Sequence, residues 1–285
     1  MADLLYAATE GAHAAAEHGA HQAESGHDAA AIMQHLIEHV YDYPVVHIGW
    51  HPFGLEWLDL SITKLTIMMW ISAALIFILF RALAASQRKK QTSGRYINFL
   101  EPFVLYVRDE MVYPIMGDKF GRKYLPFFLT QFFFILFANL LGMIPGMATA
   151  TGNLAVCATL ACTTLFAILV MGMVEQGLFT FWKNLVPPGM PVWLIPLLFP
   201  IEVISIFIKC FALTIRLFAN MTAGHIVILT FIGLIFIFHS YLVAVPSIGF
   251  ALFIYVLELF VAFLQAFIFT TLSIIFINMA IHPEH

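Results

Sequence analysis

Charge is scarce in this chain. Only 11% of its 285 residues are Asp, Glu, Lys or Arg, where a soluble domain carries about 25%. With 61% hydrophobic residues, this shortage excludes an ordinary soluble fold and identifies a membrane protein. Cysteine is scarce too: Cys157, Cys162 and Cys210 lie in apolar runs without metal-ligand spacing. They read as small core residues with no disulfide role. Basic residues are missing altogether from 1–63. Lacking a positive n-region and a following apolar h-region, the N-terminus does not read as a secretory signal, so insertion rests on later spans. No Gly-rich phosphate loop is present, which leaves nucleotide chemistry outside this chain. The net charge of −4 indicates no partner, and no nucleic acid is expected.

What remains is long apolar runs. A helix needs roughly 20 apolar residues to cross the hydrocarbon core. The first crossing reads as Leu65–Leu83, the second as Leu125–Ile144, ended by Pro145 and Gly146, and the third as Leu154–Phe181. A fourth run extends from Val192 to Phe238 and a fifth from Ser247 to Ile281. The last two exceed what one crossing needs, so steep tilt, a kink or a split is required. Nine of the 13 basic residues fall between Arg81 and Lys123, which places that segment in the cytoplasm and the N-terminus outside. Lys183 falls inside after the third crossing, and five crossings put the C-terminus inside. Segment 97–118 interleaves aromatic and charged residues and reads as a cytoplasmic interfacial helix. The fold class is therefore an all-α membrane protein. It has about five crossing runs, the last two long and steeply tilted, plus the interfacial helix. Residues 1–55 form an outer extension and 56–285 the membrane domain.

Four charges sit where charge is expensive. From Pro191 to Ile281 the only formally charged residues are Glu202, Lys209, Arg216 and Glu258. Each costs at least about 2.5 kcal/mol at the centre of a membrane helix. Glu202, Lys209 and Arg216 are spaced by seven and share one helical face, with Asn220 one turn beyond Arg216. By position along the runs, Arg216 and Gln265 fall near mid-depth, and His225 and Glu258 fall nearer the outside. Glu202, with Ser205 and Lys209 as neighbours, falls in the cytoplasmic half. Arginine stays protonated and cannot relay a proton. Carboxylate and imidazole relay protons once burial and pairing bring their affinities near neutrality. The pattern therefore reads as two half-paths separated by a fixed positive charge. Conduction then needs a mobile carboxylate, and a partner must supply it. Bland readings stand beside this one. Lys209 snorkels to the interface, Glu202 is a helix-end charge, Glu258 and His225 only hold helices together, and Gln265 is interhelical glue.

The stretch Arg216-Leu217-Phe218-Ala219-Asn220-Met221-Thr222-Ala223-Gly224-His225 resembles the signature of subunit a of F-type ATP synthases. Asn139-Leu140-Leu141-Gly142-Met143-Ile144-Pro145-Gly146 and Leu264-Gln265-Ala266-Phe267-Ile268-Phe269 are similar to two further family motifs, in the same order. The resemblance covers roughly residues 50–285. It implies a proton-translocating stator subunit, not itself an enzyme, with two offset half-channels at the interface with a ring of c subunits. Arg216 would meet the ring carboxylate, with Asn220 and Gln265 beside it. Asn139 would line the outer half-channel and Glu202 the cytoplasmic one. Many bacterial relatives carry Glu at the position of His225 and His at that of Glu258, and the exchange favours a shared relay. The implied partners are the c ring, b-type peripheral stalk subunits, the F1 sector indirectly, and the bilayer of a bacterial inner membrane. No cofactor is implied. The sequence leaves both proton and sodium open as the ion.

Residues 1–51 hold eight histidines at irregular spacing. They read as a loose outer segment, with a short amphipathic helix over Ala30–Tyr43, and no metal site is assigned there. A stand-alone channel or secondary transporter would use the same buried charges, but no internal repeat supports a transporter. A membrane metalloenzyme would draw on the histidines with His225 or Glu258, and a plain scaffold would tolerate the loss of Arg216.

Overall fold

The computed structural model describes residues 44–46, 62–89, 95–144, 149–185, 192–238 and 240–282. The histidine-rich segment and the helix expected over Ala30–Tyr43 lie outside them. Strand β1 (Pro44–Val46) pairs antiparallel with β2 (Ile62–Thr63). Among the described residues, every other regular element is helical. Among the described residues, five helical stretches are long and apolar enough to cross a membrane: Lys64–Ala84, Leu100–Gly142, Leu154–Gln176, Ile195–Ile235 and Tyr241–Ile281.

Helix α1 (Lys64–Lys89) starts where Thr63 Oγ1 accepts the N–H of Thr66 at 3.3 Å, a normal N-cap bond. Leu65, Met68, Ser72, Ile76 and Leu79 are buried along one stripe, while Trp70, Phe77 and Ile78 point away from the protein. That is the i, i+3, i+4 pattern of a one-sided helix. Here the outward side is apolar, as lipid requires.

Helix α2 (Arg95–Tyr106) runs through a π-helical turn (Val107–Val112) into α3 (Tyr113–Gly142). The helix breaks at Gly117, whose φ of 71° and ψ of 168° lie outside the helical region. The helix expected over 97–118 is therefore present and ends at this glycine. It packs closely: Val107, Met111 and Val112 are buried, and the rings of Phe103 and Tyr106 meet Phe263 and Phe267 at 6.0 and 6.2 Å. On the outer side of the π turn Asp109 and Glu110 are exposed, and Asp109 pairs with Arg108.

Beyond Gly117, α3 is the central helix. Phe128, Phe132, Phe133 and Ile135 are fully buried. It ends at Gly142, and a 3-10 turn (Ala150–Gly152) leads into α4 (Leu154–Gln176). Asn153 caps α4 by accepting the N–H of Ala155 at 2.8 Å. The third run, expected to reach Phe181, is shorter than that, because α4 stops at Gln176. Gly177, with φ of 89°, separates it from the short helix α5 (Leu178–Asn184). Apolar composition carries the expectation through a residue whose backbone leaves the helix.

Helix α6 (Ile195–Phe238) has 44 residues and α7 (Tyr241–Ile281) has 41. Neither is split, so both take up their excess over the roughly 20 residues of one crossing as single helices. The chain forms two compact units. The described part of the smaller is 223–257 without residue 239, where Phe231 stacks on Phe250 at 5.5 Å. The larger holds every other described residue. Its core joins Phe128, Phe132 and Phe133 of α3 to Leu213 and Leu217 of α6 and to Ala266, Phe269 and Ile274 of α7.

Candidate functional site

The inward face of α6 is made by Ile206, Leu213, Thr214, Leu217 and Met221, all buried. Arg216 lies on the opposite side and is exposed. Its neighbours on that face are small: Ala212 and Ala219, four before and three after, are exposed as well. Alanines at these spacings leave room for another helix to come close. Among the described residues, no carboxylate forms an ion pair with Arg216. Asn220, one turn on, is half-buried.

Glu202, Ser205 and Lys209 are also half-buried. The Lys209 ammonium lies over the Phe276 ring of α7, 5.2 Å from its centre. This cation–π contact turns the lysine inward against its own protein.

On α7, Glu258 and Gln265 are each 3% exposed, and the intervening Ala262 is fully buried. The two polar residues are seven apart and share the buried side. Gln265 Nε2 has no hydrogen-bond partner within the described chain. A buried donor left in this state costs about 1–3 kcal/mol. His225 belongs to the smaller unit and is half-buried there.

Asn139, near the end of α3, is fully buried and its amide is occupied at both ends. Its Nδ2 donates to the carbonyl of Ala262 at 3.2 Å. Its Oδ1 accepts from Thr151 Oγ1 at 2.7 Å, and the Thr151 carbonyl in turn accepts from Cys157 Sγ at 3.0 Å. The larger unit thus brings Asn139 to α7 one turn after Glu258 and one turn before Gln265.

Sequence reasoning passed over Thr151 and a second polar group made by Gln131, Thr164 and Ser273, and read the buried Cys157 only as a small core residue. Gln131 Nε2 donates to Thr164 Oγ1 at 2.7 Å and to Ser273 Oγ at 3.1 Å. All three are buried. The available signal was a lone carboxamide between Thr130 and three consecutive phenylalanines. Among the described residues, no three His, Cys, Asp or Glu side chains gather closely enough to hold a metal.

Comparison with known proteins adds to this geometry. A family model described as ATP synthase A chain matches residues 66–278. ATP synthase subunit a of Myxococcus xanthus (strain DK1622) is 46% identical over 258 residues, covering 90% of this chain and 82% of that protein. ATP synthase subunit a of Chloroherpeton thalassium is 42% identical over 268 residues, covering 89% and 77%. ATP synthase subunit a 2 of Prosthecochloris aestuarii is 42% identical over 296 residues, covering 99% and 89%.

Proposed function

This chain belongs to the ATP synthase subunit a family, and we propose that Arg216 is where its proton path meets the rotating ring of c subunits. Family membership makes the chain the non-catalytic, proton-translocating component of the Fo sector, working in a membrane within the larger complex. The observation that carries the proposal is the placement of Arg216. It is exposed on a face lined by Ala212 and Ala219, with no carboxylate partner among the described residues. A guanidinium at membrane depth needs a counter-charge. A carboxylate on the passing ring supplies one and leaves again as the ring turns.

The outer path runs past His225 and Glu258, which take up and hand on the proton. Asn139 shapes the wall of this path and does not carry the proton, since its amide is already bonded at both ends. The proton neutralises a ring carboxylate, which then enters lipid. After nearly a full turn it is released toward Glu202, with Ser205 and Lys209 alongside. Asn220 and Gln265 stand beside the arginine, and the free Nε2 of Gln265 is offered to the ring carboxylate or to its hydration water. Arg216 favours the ionised carboxylate at the interface and repels a proton that would pass directly between the half-paths. The b-type stalk subunits hold the chain still against the ring. The N-terminus lies outside and the C-terminus in the cytoplasm of a bacterial plasma membrane.

The test is proton flux through membrane sectors reconstituted in liposomes with Arg216 or Arg216→Ala. The expected result is loss of coupled ATP synthesis with passive flux retained, and flux in both samples that requires the ring. Unchanged coupled synthesis, or conduction by the chain alone, overturns the proposal.

A further inference from the structure

Three carboxamides reach α7 from the helices packed behind it. Asn139 of α3 donates to the Ala262 carbonyl at 3.2 Å. Gln131 of α3 donates to Ser273 Oγ at 3.1 Å. Gln176 of α4 donates to the Ala280 carbonyl at 2.6 Å. Their landing points are eleven and seven residues apart. At 100° per residue, both intervals return to the same side of the helix within about 20°. The three donors therefore land in one row along the buried side of α7.

The packing around this row has an ambiguity. The sequence of α7 repeats after four residues, with Ala262-Phe263 followed by Ala266-Phe267. Ala262 and Ala266 are both fully buried. Phe263 meets Phe103 and Phe132, and Phe267 meets Tyr106. A slide of one turn along the axis places alanine on alanine and phenylalanine on phenylalanine. At this repeat, ridge-and-groove packing resists such a slide weakly, because the two alanines and the two phenylalanines replace one another; further along, the fully buried Phe269, Ser273 and Ile277 differ from one another. Asn139 is blind to it, because it lands on a backbone carbonyl inside the helix and a helix presents a carbonyl at the same place on every turn. Gln176 lands on Ala280, one residue before the end of α7 at Ile281, and resists the slide in one direction only. Gln131 differs, because its acceptor on α7 is a side chain. A one-turn slide moves the Ser273 hydroxyl about 5.4 Å, beyond hydrogen-bond reach, and brings Phe269 or Ile277 into its place.

We propose that the bond from Gln131 to Ser273, braced by Thr164, is the register lock of α7. Gln131 is a positioning residue. It holds Glu258 and Gln265 at the depth where the proton path uses them. Thr164 fixes the carboxamide from a second helix through the 2.7 Å bond to the same Nε2. The proposal rests on the reading above for what depth matters to, but not for the lock itself.

The test reads register and flux separately, in the assembled complex. The three native cysteines are replaced by serine, and Phe132→Cys is combined with Leu259→Cys, Phe263→Cys or Phe267→Cys. A short bifunctional thiol reagent then reports the register. With Gln131 present, the Phe263 position crosslinks most, since its ring lies 5.9 Å from that of Phe132. With Gln131→Leu, crosslinking moves toward positions 259 or 267 by about threefold, the equilibrium factor typical of one interhelical side-chain hydrogen bond. ATP-driven proton pumping, measured without the added cysteines, falls by a similar factor at equal assembly. Ser273→Ala removes only the acceptor and is the second variant where Gln131→Leu fails to assemble. An unchanged crosslinking pattern in the variants overturns the lock. A moved pattern with unchanged pumping upholds the lock and overturns the roles given to Glu258 and Gln265.

Discussion

Gln265 and Asn139 are both buried carboxamides, but they stand in different chemical states. Asn139 has its donor on Ala262 and its acceptor on Thr151. Gln265 keeps a buried donor without a partner in the described chain. A single sequence does not separate the two, because each reads as a lone amide in an apolar run. Arg216 was legible, since one fixed charge near the middle of a long apolar run has few innocent explanations. Thr151 was not. Its value lies in a bond across a turn that composition does not reveal. The state of Gln265 leads to a prediction. Gln265→Leu removes an unsatisfied donor from the chain, and that donor costs about 1–3 kcal/mol. The thermal midpoint of the purified subunit in detergent should therefore hold or rise. In the assembled complex the same change removes the hydrogen bond proposed to a ring carboxylate or its water, so ATP-driven pumping should fall about tenfold. A fall in both measurements by comparable free energy would mean that Gln265 is interhelical glue.

At the scale of elements, the five runs were legible because hydropathy is summed over some 20 residues and tolerates local error. The ends were less so. Gly177 stops a helix that apolar composition carried onward to Phe181, whereas Gly117 breaks the chain where the helix expected over 97–118 ends. At Gly117 the φ of 71° and ψ of 168° are open to glycine and nearly closed to any other residue. Gly142 stands for the opposite case. Its backbone is helical, but a Cβ there would lie 2.5 Å from the Thr149 side chain, whose Oγ1 donates to the Gly142 carbonyl. Two residues later, Thr151 holds Asn139. Alanine at the two sites should therefore fail differently. Gly117→Ala meets nothing within 4 Å, so its cost of about 1–3 kcal/mol is backbone strain alone, and proton pumping by the surviving complex should be near normal. Gly142→Ala must displace Thr149 at a similar cost, and it disturbs the turn that carries Thr151. Denaturation midpoints set beside pumping per assembled complex would separate them. Equal loss of pumping in both variants would refute the distinction.

For the whole molecule, the sequence placed the N-terminus by its basic residues and the C-terminus only by counting five crossings, since the last helix carries no basic residue near its end. Long-range contacts supply what was missing. Lys123, at the start of the α3 crossing, pairs with Glu175 at the end of α4, and the Tyr124 hydroxyl donates to the same carboxylate at 2.5 Å. The His282 ring, at the end of α7, meets Phe120 edge-on at 4.8 Å. Phe120 lies between Lys119 and Arg122. The start of α3, the end of α4 and the end of α7 therefore share one end of the larger unit, and that end carries Lys119, Arg122 and Lys123 of the basic cluster. At the other end of α3, Ala150 packs with Met68 near the start of α1. Under the rule that basic loops stay in the cytoplasm, these contacts support the cytoplasmic C-terminus proposed above, although that segment has no basic residue of its own. The sequence reached the same side by counting five crossings, but the contact of residues 120 and 282 leaves no trace in composition. Alkaline phosphatase, active only outside the cytoplasm, tests it. Fusions after Asn153 should be active, and fusions after Lys90 or His282 inactive. Activity at His282 together with inactivity at Lys90 would mean that α7 does not run beside α3 in the membrane as it does here. The Gln131–Ser273 register would then have no bearing on the path of the proton.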